Sequence, residues 1–298
     1  SAIILAKRGE TALAKTYVKS LKEYSVYTDE MGRYYDTPRA GYSWCDYRIP
    51  TEVAVIEALQ RVTPDDRQTI DEMRRWLLQE KRTQAWDTPL NSINAVYAFL
   101  FDQTAVLDAG ENTVIALDGK PLDLPKATAG LGYVKTSVDC PAGKTLTAKK
   151  TSQGTSWGAV YAQFMQPAAE VEQSGGELTV KREIVRSATD LKVGARIKVR
   201  ITVEARRDLD FVQIQDRRAA CMEPVRQLSG YRDGYYCAPK DNATCYYFDR
   251  LSKGKHVLET EYYVDRVGDY ETGTCTAVCA YAPEFRAVAK SERITVSE

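Results

Sequence analysis

The sequence predicts a multidomain chain that is helical in its first third and built from antiparallel β-structure after that. Three observations support this fold class. The chain has 298 residues, and domains typically contain about 100–200 residues, so two or three domains are expected. Up to about residue 101, apolar residues recur with the period of an amphipathic helix. From about residue 113 onwards, short β-branched runs and strictly alternating apolar and polar residues indicate strands.

The composition is that of a folded protein. Hydrophobic residues make up 44% of the chain and charged residues 28%, which is enough apolar material for a core and argues against global disorder. Lysine and arginine number 41, as do aspartate and glutamate, so the formal net charge is zero. Without a basic excess, nucleic acid is not an expected partner. The apolar runs are far shorter than the roughly 20 residues of a membrane span, so none is predicted.

Four amphipathic helices are predicted, over residues 11–24, 50–62, 64–82 and from Asp87-Thr88-Pro89 onwards. The last two begin with a threonine followed by a proline, which supplies a capping oxygen and a first helical residue that needs no N–H. The residues expected to be buried are Leu13, Tyr17, Val18, Leu21 and Tyr24, then Val55, Ile56, Leu59 and Val62, then Ile70, Met73, Trp76 and Leu77, and finally Leu90, Ile93, Val96, Tyr97 and Leu100. Short connections imply antiparallel neighbours, as in bundles, α/α solenoids or toroids.

The middle of the chain is predicted to be β-structure. Residues 113–117 form a β-branched run that ends in Asp118-Gly119, a strong signal for a two-residue hairpin turn. Residues 160–165 are a further candidate strand. Residues 166–176 combine proline, glycine and polar residues without periodicity, so they are interpreted as a linker, with a domain boundary near 170.

The last part of the chain is predicted to be a β-sandwich. Residues 196–204 alternate strictly between apolar and polar side chains, as a strand with one buried face does. Further strands are expected at 178–185, 210–214, 256–264 and 277–285, with a tyrosine-rich excursion at 229–242. Several antiparallel strands joined by glycine-containing turns are typical of sandwiches.

Two groups of residues resemble bacterial alpha-2-macroglobulin-like proteins. Residues 40–44 (AGYSW), 50–54 (PTEVA) and 76–88 (WLLQEKRTQAWDT) resemble the last helices of that family's thioester domain. The segments that resemble its final macroglobulin domain are 208–216 (DLDFVQIQD), 223–225 (EPV), 268–273 (GDYETG) and 280–286 (AYAPEFR). The resemblance implies three regions: 1–103, the second half of an α/α toroid; 104–168, a CUB-like β-segment; and 169–298, a macroglobulin-type β-sandwich.

The resemblance also implies a function. The chain would be a non-catalytic carboxy-terminal fragment of an envelope protein that traps proteases after cleavage of a bait region. Its partners would be the upstream domains of the parent and, for the whole parent, a target protease. Its location would be extracytoplasmic, in the bacterial periplasm or cell envelope, and a lipid anchor upstream of Ser1 is compatible with this location.

The family's Cys-Gly-Glu-Gln thioester motif is not present in this sequence. Cys45 is followed by Asp46-Tyr47-Arg48, and Cys279 by Ala280-Tyr281-Ala282, so neither has a glutamine three residues on. The thioester of the family would lie upstream of Ser1.

No catalytic, cofactor-binding or metal-binding residue is predicted. His256 is the single histidine, and a lone histidine in a predicted strand is far more often a packed or surface residue than a catalyst. Candidate carboxylates for an α/α-toroid enzyme such as a glycosidase or cyclase are Glu52, Glu57, Asp65, Asp66, Asp71 and Glu72, and candidate sugar-stacking rings are Trp44, Trp76 and Trp86. Helix-start acids, solvated helix faces and core packing explain these residues better. A pure adhesion or scaffold module is the other alternative.

Seven cysteines, at 45, 140, 221, 237, 245, 275 and 279, leave at least one unpaired within the chain. Cys275 and Cys279 lie too far apart along an extended strand to bond to each other. If the parent is in an oxidising envelope, as the resemblance implies, Cys237 and Cys245 are the first choice for a disulfide, with Cys221 or one of the late pair available for another. The alternative is that all are reduced and buried.

A half-toroid makes one further prediction. Its inward stripes, Leu90, Ile93 and Tyr97 on one helix and Ile70, Met73 and Leu77 on another, would need the missing first half to cover them. Apolar surface should therefore be exposed in this chain.

Overall fold

The structure is a computed structural model that describes residues 1–36, 47–83, 86, 88–101, 113–125, 134–139, 145–151, 156–186 and 191–298. The chain divides into two compact units. The first unit consists of Ser1–Leu78 and Trp86–Ala162, and the second unit consists of Gln79–Ala85 and Gln163–Glu298. The described helices are α1 (Ala2–Lys7), α2 (Thr11–Glu23), α3 (Arg48–Val62), α4 (Arg67–Thr83) and α5 (Pro89–Leu100). None of them is both long and apolar enough to cross a bilayer.

The strands of the first unit are β1 (Val26–Thr28), β2 (Gly32–Tyr34), β3 (Val114–Leu117), β4 (Lys120–Pro121) and β5 (Leu146–Lys149). Those of the second unit up to residue 239 are β6 (Leu178–Val185), β7 (Leu191–Lys192), β8 (Arg196–Ala205), β9 (Leu209–Arg217), β10 (Met222–Pro224), β11 (Gly230–Arg232) and β12 (Tyr235–Pro239). The remaining strands are β13 (Ala243–Leu251), β14 (Gly254–Val264), β15 (Gly268–Glu271), β16 (Cys275–Cys279), β17 (Ala282–Ala289) and β18 (Arg293–Ser297).

Helices α3 and α4 bury the apolar residues that their periodicity predicts. All eight residues expected inside are buried, namely Val55, Ile56, Leu59, Val62, Ile70, Met73, Trp76 and Leu77. The predicted start of α4 is wrong by three residues, because Thr63 to Asp66 form a turn in which the Asp66 amide donates to the Thr63 carbonyl (3.0 Å). Asp66 then precedes the helix and accepts from the Thr69 hydroxyl at 2.9 Å.

Helix α5 has the predicted start but the opposite orientation. Thr88 caps it by accepting from the Asn91 amide, with Pro89 in the first turn. All five residues expected to be buried on this helix are exposed, and Asn91, Ala95 and Ala98 are buried instead. The small side chains face inward because α5 packs closely along α3. In α2 the prediction also fails for Leu13, Tyr17 and Tyr24, which are exposed, and Leu21 is half-buried, whereas Val18 is buried together with Ala14.

A short hairpin, β1–β2, packs on α4. Gly32 has φ +86°, and a side chain there would meet the Glu72 carbonyl oxygen at 2.3 Å, so glycine permits the close approach. Next to it, Tyr34 stacks on Trp76 with ring centroids 5.9 Å apart, and Arg33 pairs with Glu72 at 2.8 Å. This contact explains why Trp76 belongs to the core.

The middle region contains a three-stranded sheet in the order β4–β3–β5. The hairpin predicted at Asp118-Gly119 is confirmed, since these residues have φ values of 47° and 75° and join Leu117 to Lys120. Both angles are those of the two-residue turn that favours glycine. The strand expected over 160–165 is wrong, because the described residues 156–167 have no strand partner.

The second unit is a β-sandwich of two antiparallel sheets. One sheet has the order β10–β14–β8–β6 and the other β11–β12–β13–β9–β16–β17. The predicted alternation of residues 196–204 is confirmed: Ile197, Val199, Ile201 and Val203 all lie in the core between the sheets. A third, small sheet has the order β15–β18–β7 and adds Leu191, Ile294 and Val296 to the same core.

Two details of the predicted sandwich are wrong. Residues 277–285 are not one strand, because β16 and β17 form a hairpin that turns at Ala280 and Tyr281. Residues 229–242, expected to be a tyrosine-rich excursion between strands, contain strands themselves, because β11 and β12 form a hairpin whose turn residues, Asp233 and Gly234, have φ values of 47° and 84°.

Candidate functional site

A charged pair lies inside the sandwich, where strand alternation turns both side chains inward. Arg182 follows the buried Leu178 and Val180 on β6, and Asp216 follows Val212 and Ile214 on β9. The Arg182 Nη1 to Asp216 Oδ1 distance is 3.2 Å, and the two side chains are 2% and 1% exposed. The pair therefore joins the two sheets inside the buried core.

The Arg182 guanidinium makes three further contacts. Its Nη1 donates to the Arg217 carbonyl at 3.2 Å, and its Nη2 donates to the Lys290 carbonyl at 3.2 Å and to the Thr272 hydroxyl. This arrangement of acceptors suits arginine, because the planar guanidinium directs its N–H donors towards several acceptors in fixed directions.

Burial raises the pKa of Asp216 to about 6, against the opposing pull of Arg182 and of the Cys275 thiol that donates to it. Burial likewise raises the pKa of Cys275 well above the ordinary thiol value. A buried thiol of this kind is a poor nucleophile. Two hydroxyl pairs continue the polar core nearby, Thr244 with Tyr262 at 2.8 Å and Tyr246 with Thr260 at 2.6 Å.

Sequence reasoning missed this cluster, although a signal was present. Arg182 and Asp216 occupy positions where the two-residue period of their strands requires an apolar side chain. A charge at a core position is almost never left unpaired, so two such residues on two strands predict a buried ion pair. The arrangement can hold strands together, but it is closed to any substrate.

The five described cysteines are all free and buried. Cys237 pairs in register with Tyr246, and Cys245 pairs with Ala238. Because neighbouring residues of a strand point to opposite faces, the two thiols lie on opposite sides of the β12–β13 hairpin. The register therefore contradicts the expected Cys237–Cys245 bridge. Cys45 and Cys140 lie outside the described residues.

The carboxylates considered for catalysis mostly have cationic partners. Three ion pairs hold them: Glu57 with Arg61 at 2.8 Å, Asp66 with Lys22 at 2.5 Å, and Glu72 with Arg33 at 2.8 Å. Asp71 lies 3.6 Å from Arg74, Glu52 is buried and Asp65 is exposed. Their ion pairs are those of an ordinary helix surface.

The histidine and the tryptophans have structural surroundings. His256 Nε2 lies 2.7 Å from the Ser252 carbonyl oxygen. Trp76 is in the core, Trp86 is half-buried and Trp44 lies outside the described residues. Among the described residues, no group of three or more His, Cys, Asp or Glu side chains is placed to hold a metal ion.

A depression of about 450 Å³ lies on the outer face of the β14–β8–β6 sheet. It is lined by Lys181, Glu183, Arg200, Thr202, Lys255, Val257 and Glu259. The charges largely neutralise each other, since Arg200 pairs with Glu259 at 2.7 Å and Lys181 with Glu183 at 2.7 Å. Such a surface is suited to water rather than to an apolar ligand.

Two apolar surfaces of the described chain are exposed. On α5, Leu90 is 58% and Ile93 64% exposed, with Tyr97 beside them. The segment 156–165 exposes Val160, Tyr161, Phe164 and Met165, and has no strand pairing. Contiguous apolar surface of this kind usually marks a region that another domain covers. The other predicted stripe, Ile70, Met73 and Leu77, is already buried.

Residues 168–284 match the family model of the bacterial alpha-2-macroglobulin MG10 domain. The predicted resemblance is thereby confirmed for the sandwich. No curated protein sequence matches the chain.

Three of the solved structures that are similar to this chain are as follows. Trypsin-activated alpha-2-macroglobulin from Escherichia coli is 10% identical with a TM-score of 0.47, over 84% of this chain and 19% of that one. Salmonella alpha-2-macroglobulin reacted with methylamine is 14% identical with a TM-score of 0.40, over 88% and 18%. Native E. coli alpha-2-macroglobulin from domain MG7 to the carboxy terminus is 12% identical with a TM-score of 0.39, over 88% and 45%. The chain thus spans about a fifth of the length of the first two.

Proposed function

We propose, from the MG10 domain match of residues 168–284, that this chain is the carboxy-terminal part of an alpha-2-macroglobulin-like protein that traps proteases. The MG10 match is the observation that carries the proposal. The two-sheet sandwich of residues 178–297 supports it. Within the parent, the chain has a structural and non-catalytic role.

The proposed organisation has three regions, a half-toroid over 1–103, a CUB-like segment over 104–168 and the MG10 sandwich over 169–298. The exposed face of α5 supports the first of these, because a half-toroid leaves an inward helix face uncovered. The three-stranded sheet β4–β3–β5 supports the second, since these strands lie within residues 104–168 and a CUB-like segment is β-structure. The partners are accordingly the upstream domains of the same parent.

The parent is an extracytoplasmic protein of the bacterial periplasm or envelope in this proposal, and its target is a protease. The described cysteines of the sandwich are buried and free and do not favour either compartment, so the location rests on the MG10 match alone. Whether the parent forms a thioester depends on residues upstream of Ser1.

The experiment uses the parent protein, encoded with the sequence upstream of Ser1. Incubation with trypsin should cut a segment upstream of this chain and retain the protease in a complex that co-elutes with the parent on size exclusion. The control is trypsin inactivated at its serine, which cannot cut and should elute alone. Complete digestion without a retained protease, or equal retention of active and inactivated trypsin, would reject the proposed function.

A further inference from the structure

The small sheet of β15, β18 and β7 lies at one end of the sandwich and is here called the end sheet. Its own hydrogen bonding is limited, with four register pairs between β15 and β18 and only two between β18 and β7. By comparison, β8 and β14 share ten register pairs. A sheet with so few internal pairs depends on its attachment to the rest of the fold.

The β15–β16 and β17–β18 connections are hydrogen-bonded to each other at Thr272. The Thr272 amide donates to the Glu292 carbonyl at 2.9 Å, and the Glu292 amide donates to the Thr272 hydroxyl at 2.8 Å. Thr272 is 1% exposed, so its hydroxyl has no access to water as an alternative partner. These two hydrogen bonds join the end of β15 to the start of β18.

The Arg182 side chain connects these hydrogen-bonded residues to the sandwich. Its Nη2 contacts the Thr272 hydroxyl, in the β15–β16 connection, and the Lys290 carbonyl, in the β17–β18 connection. Its Nη1 contacts the Asp216 carboxylate and the Arg217 carbonyl, which belong to β9. Nη2 therefore binds residues next to the end sheet, and Nη1 binds strand β9 of the sandwich.

We propose that Arg182 is a clasp and that the end sheet is a unit that opens locally when this clasp is lost. Removal of the guanidinium takes one donor from the buried Thr272 hydroxyl, which keeps the Glu292 amide as a partner, and removes the Arg182 donor from the Lys290 carbonyl. The two contacts of Nη2 are the ones that the end sheet loses, while the Asp216 carboxylate and the Arg217 carbonyl on β9 lose the contacts of Nη1. Strand β8 pairs with β6, the strand of Arg182, through backbone hydrogen bonds that do not involve the guanidinium. Opening would uncover Leu191, Ile294 and Val296, an apolar surface that the closed form hides.

Amide hydrogen exchange on the full 298-residue chain tests the clasp, because it separates local opening from global unfolding. The variants are Arg182→Met and the milder Thr272→Val, which keeps the shape of the side chain and removes its hydroxyl. The matched control is Arg207→Met, which breaks a largely buried pair with Glu177 (3.0 Å) outside the end sheet.

Exchange in segments 268–274 and 290–297 should become about tenfold faster or more in Arg182→Met, and faster to a smaller extent in Thr272→Val. The β8–β14 ladder exchanges through global unfolding, so it should lose protection in each variant in proportion to that variant's loss of stability. Arg207→Met should leave the exchange of the end sheet as in the wild type. Unchanged exchange in the end sheet of Arg182→Met, or acceleration of the end sheet by Arg207→Met as large as that by Arg182→Met, would overturn the proposal. If Arg182→Met does not fold, the Thr272→Val result alone decides between these outcomes.

Discussion

At the scale of single residues, Asp216 should give the sandwich a measurable pH dependence. Its pKa is raised to about 6 by burial, whereas an unfolded chain titrates it near the ordinary value. Between these values the folded state binds more protons than the unfolded state, so stability falls as the pH rises through this window. The expected contribution is a loss of about 1 kcal/mol between pH 5 and pH 7.

Chemical denaturation of the wild type and of Asp216→Asn at both pH values checks this sign. The wild type should lose more stability between pH 5 and pH 7 than the variant does, since asparagine does not titrate. The same pH dependence in both proteins would show that Asp216 does not carry the effect.

The ion pair itself should behave as a coupled unit. Arg182→Met alone leaves the Asp216 carboxylate in the core without its partner and should cost about 3–5 kcal/mol of unfolding free energy at pH 7. Asp216→Asn alone should cost less, because burial already favours the uncharged form of Asp216. The double variant should cost clearly less than the sum, which a double-mutant cycle in denaturant measures. Arg200→Met, at a pair whose side chains are 43% and 35% exposed, should cost less than about 1 kcal/mol. Additive costs in the cycle would contradict the coupling.

Single residues were the hardest scale to predict from sequence. The inward positions of Arg182 and Asp216 could be read from strand alternation, but their pairing needs the order of strands in two sheets. The expected Cys237–Cys245 disulfide failed for the same reason. The spacing of the two cysteines in the sequence allowed the bridge. In the structure Cys237 lies opposite Tyr246 and not opposite Cys245, so the two thiols point to opposite faces of the hairpin.

At the scale of elements, helix limits were predicted better than helix orientation. Helix α5 begins at its capping threonine and proline as expected, because these signals are local. Its orientation depends on which neighbours are present, and with α3 beside it the helix buries Ala95 and Ala98 instead of Leu90 and Ile93. A helix that is apolar on several sides does not reveal from periodicity alone which side faces the core.

The β11–β12 hairpin allows a simple test of its turn. Gly234 has φ +84° and open space around its Cα, whereas Gly230 also has open space but no positive φ. Gly234→Ala should therefore destabilise the sandwich by about 1 kcal/mol, and Gly230→Ala should have a smaller effect. Thermal unfolding of the two variants measures the difference, and equal midpoints would show that the turn does not require glycine. The Asp-Gly pair at this turn was the sequence signal that could have identified the hairpin.

At the scale of the whole molecule, the change from helices to an antiparallel sandwich was predictable because it depends on periodicity summed over many residues. The segment 160–165 has the composition of a strand but no partner strand among the described residues. Composition identifies strand-forming residues, whereas a strand exists only when a neighbour supplies hydrogen bonds. The same explanation applies to the uncovered face of α5, and under the proposed function both surfaces are covered by other domains of the parent.

Solvent accessibility in the parent tests this central claim most directly. Hydroxyl-radical footprinting, read by mass spectrometry, compares the isolated chain with the complete parent protein. The account predicts that Leu90, Ile93, Tyr97 and the segment 160–165 are labelled in the isolated chain and protected in the parent, while Val257, on the charged outer face of the sandwich, is labelled equally in both. Equal labelling of α5 and of 160–165 in the two proteins would contradict it.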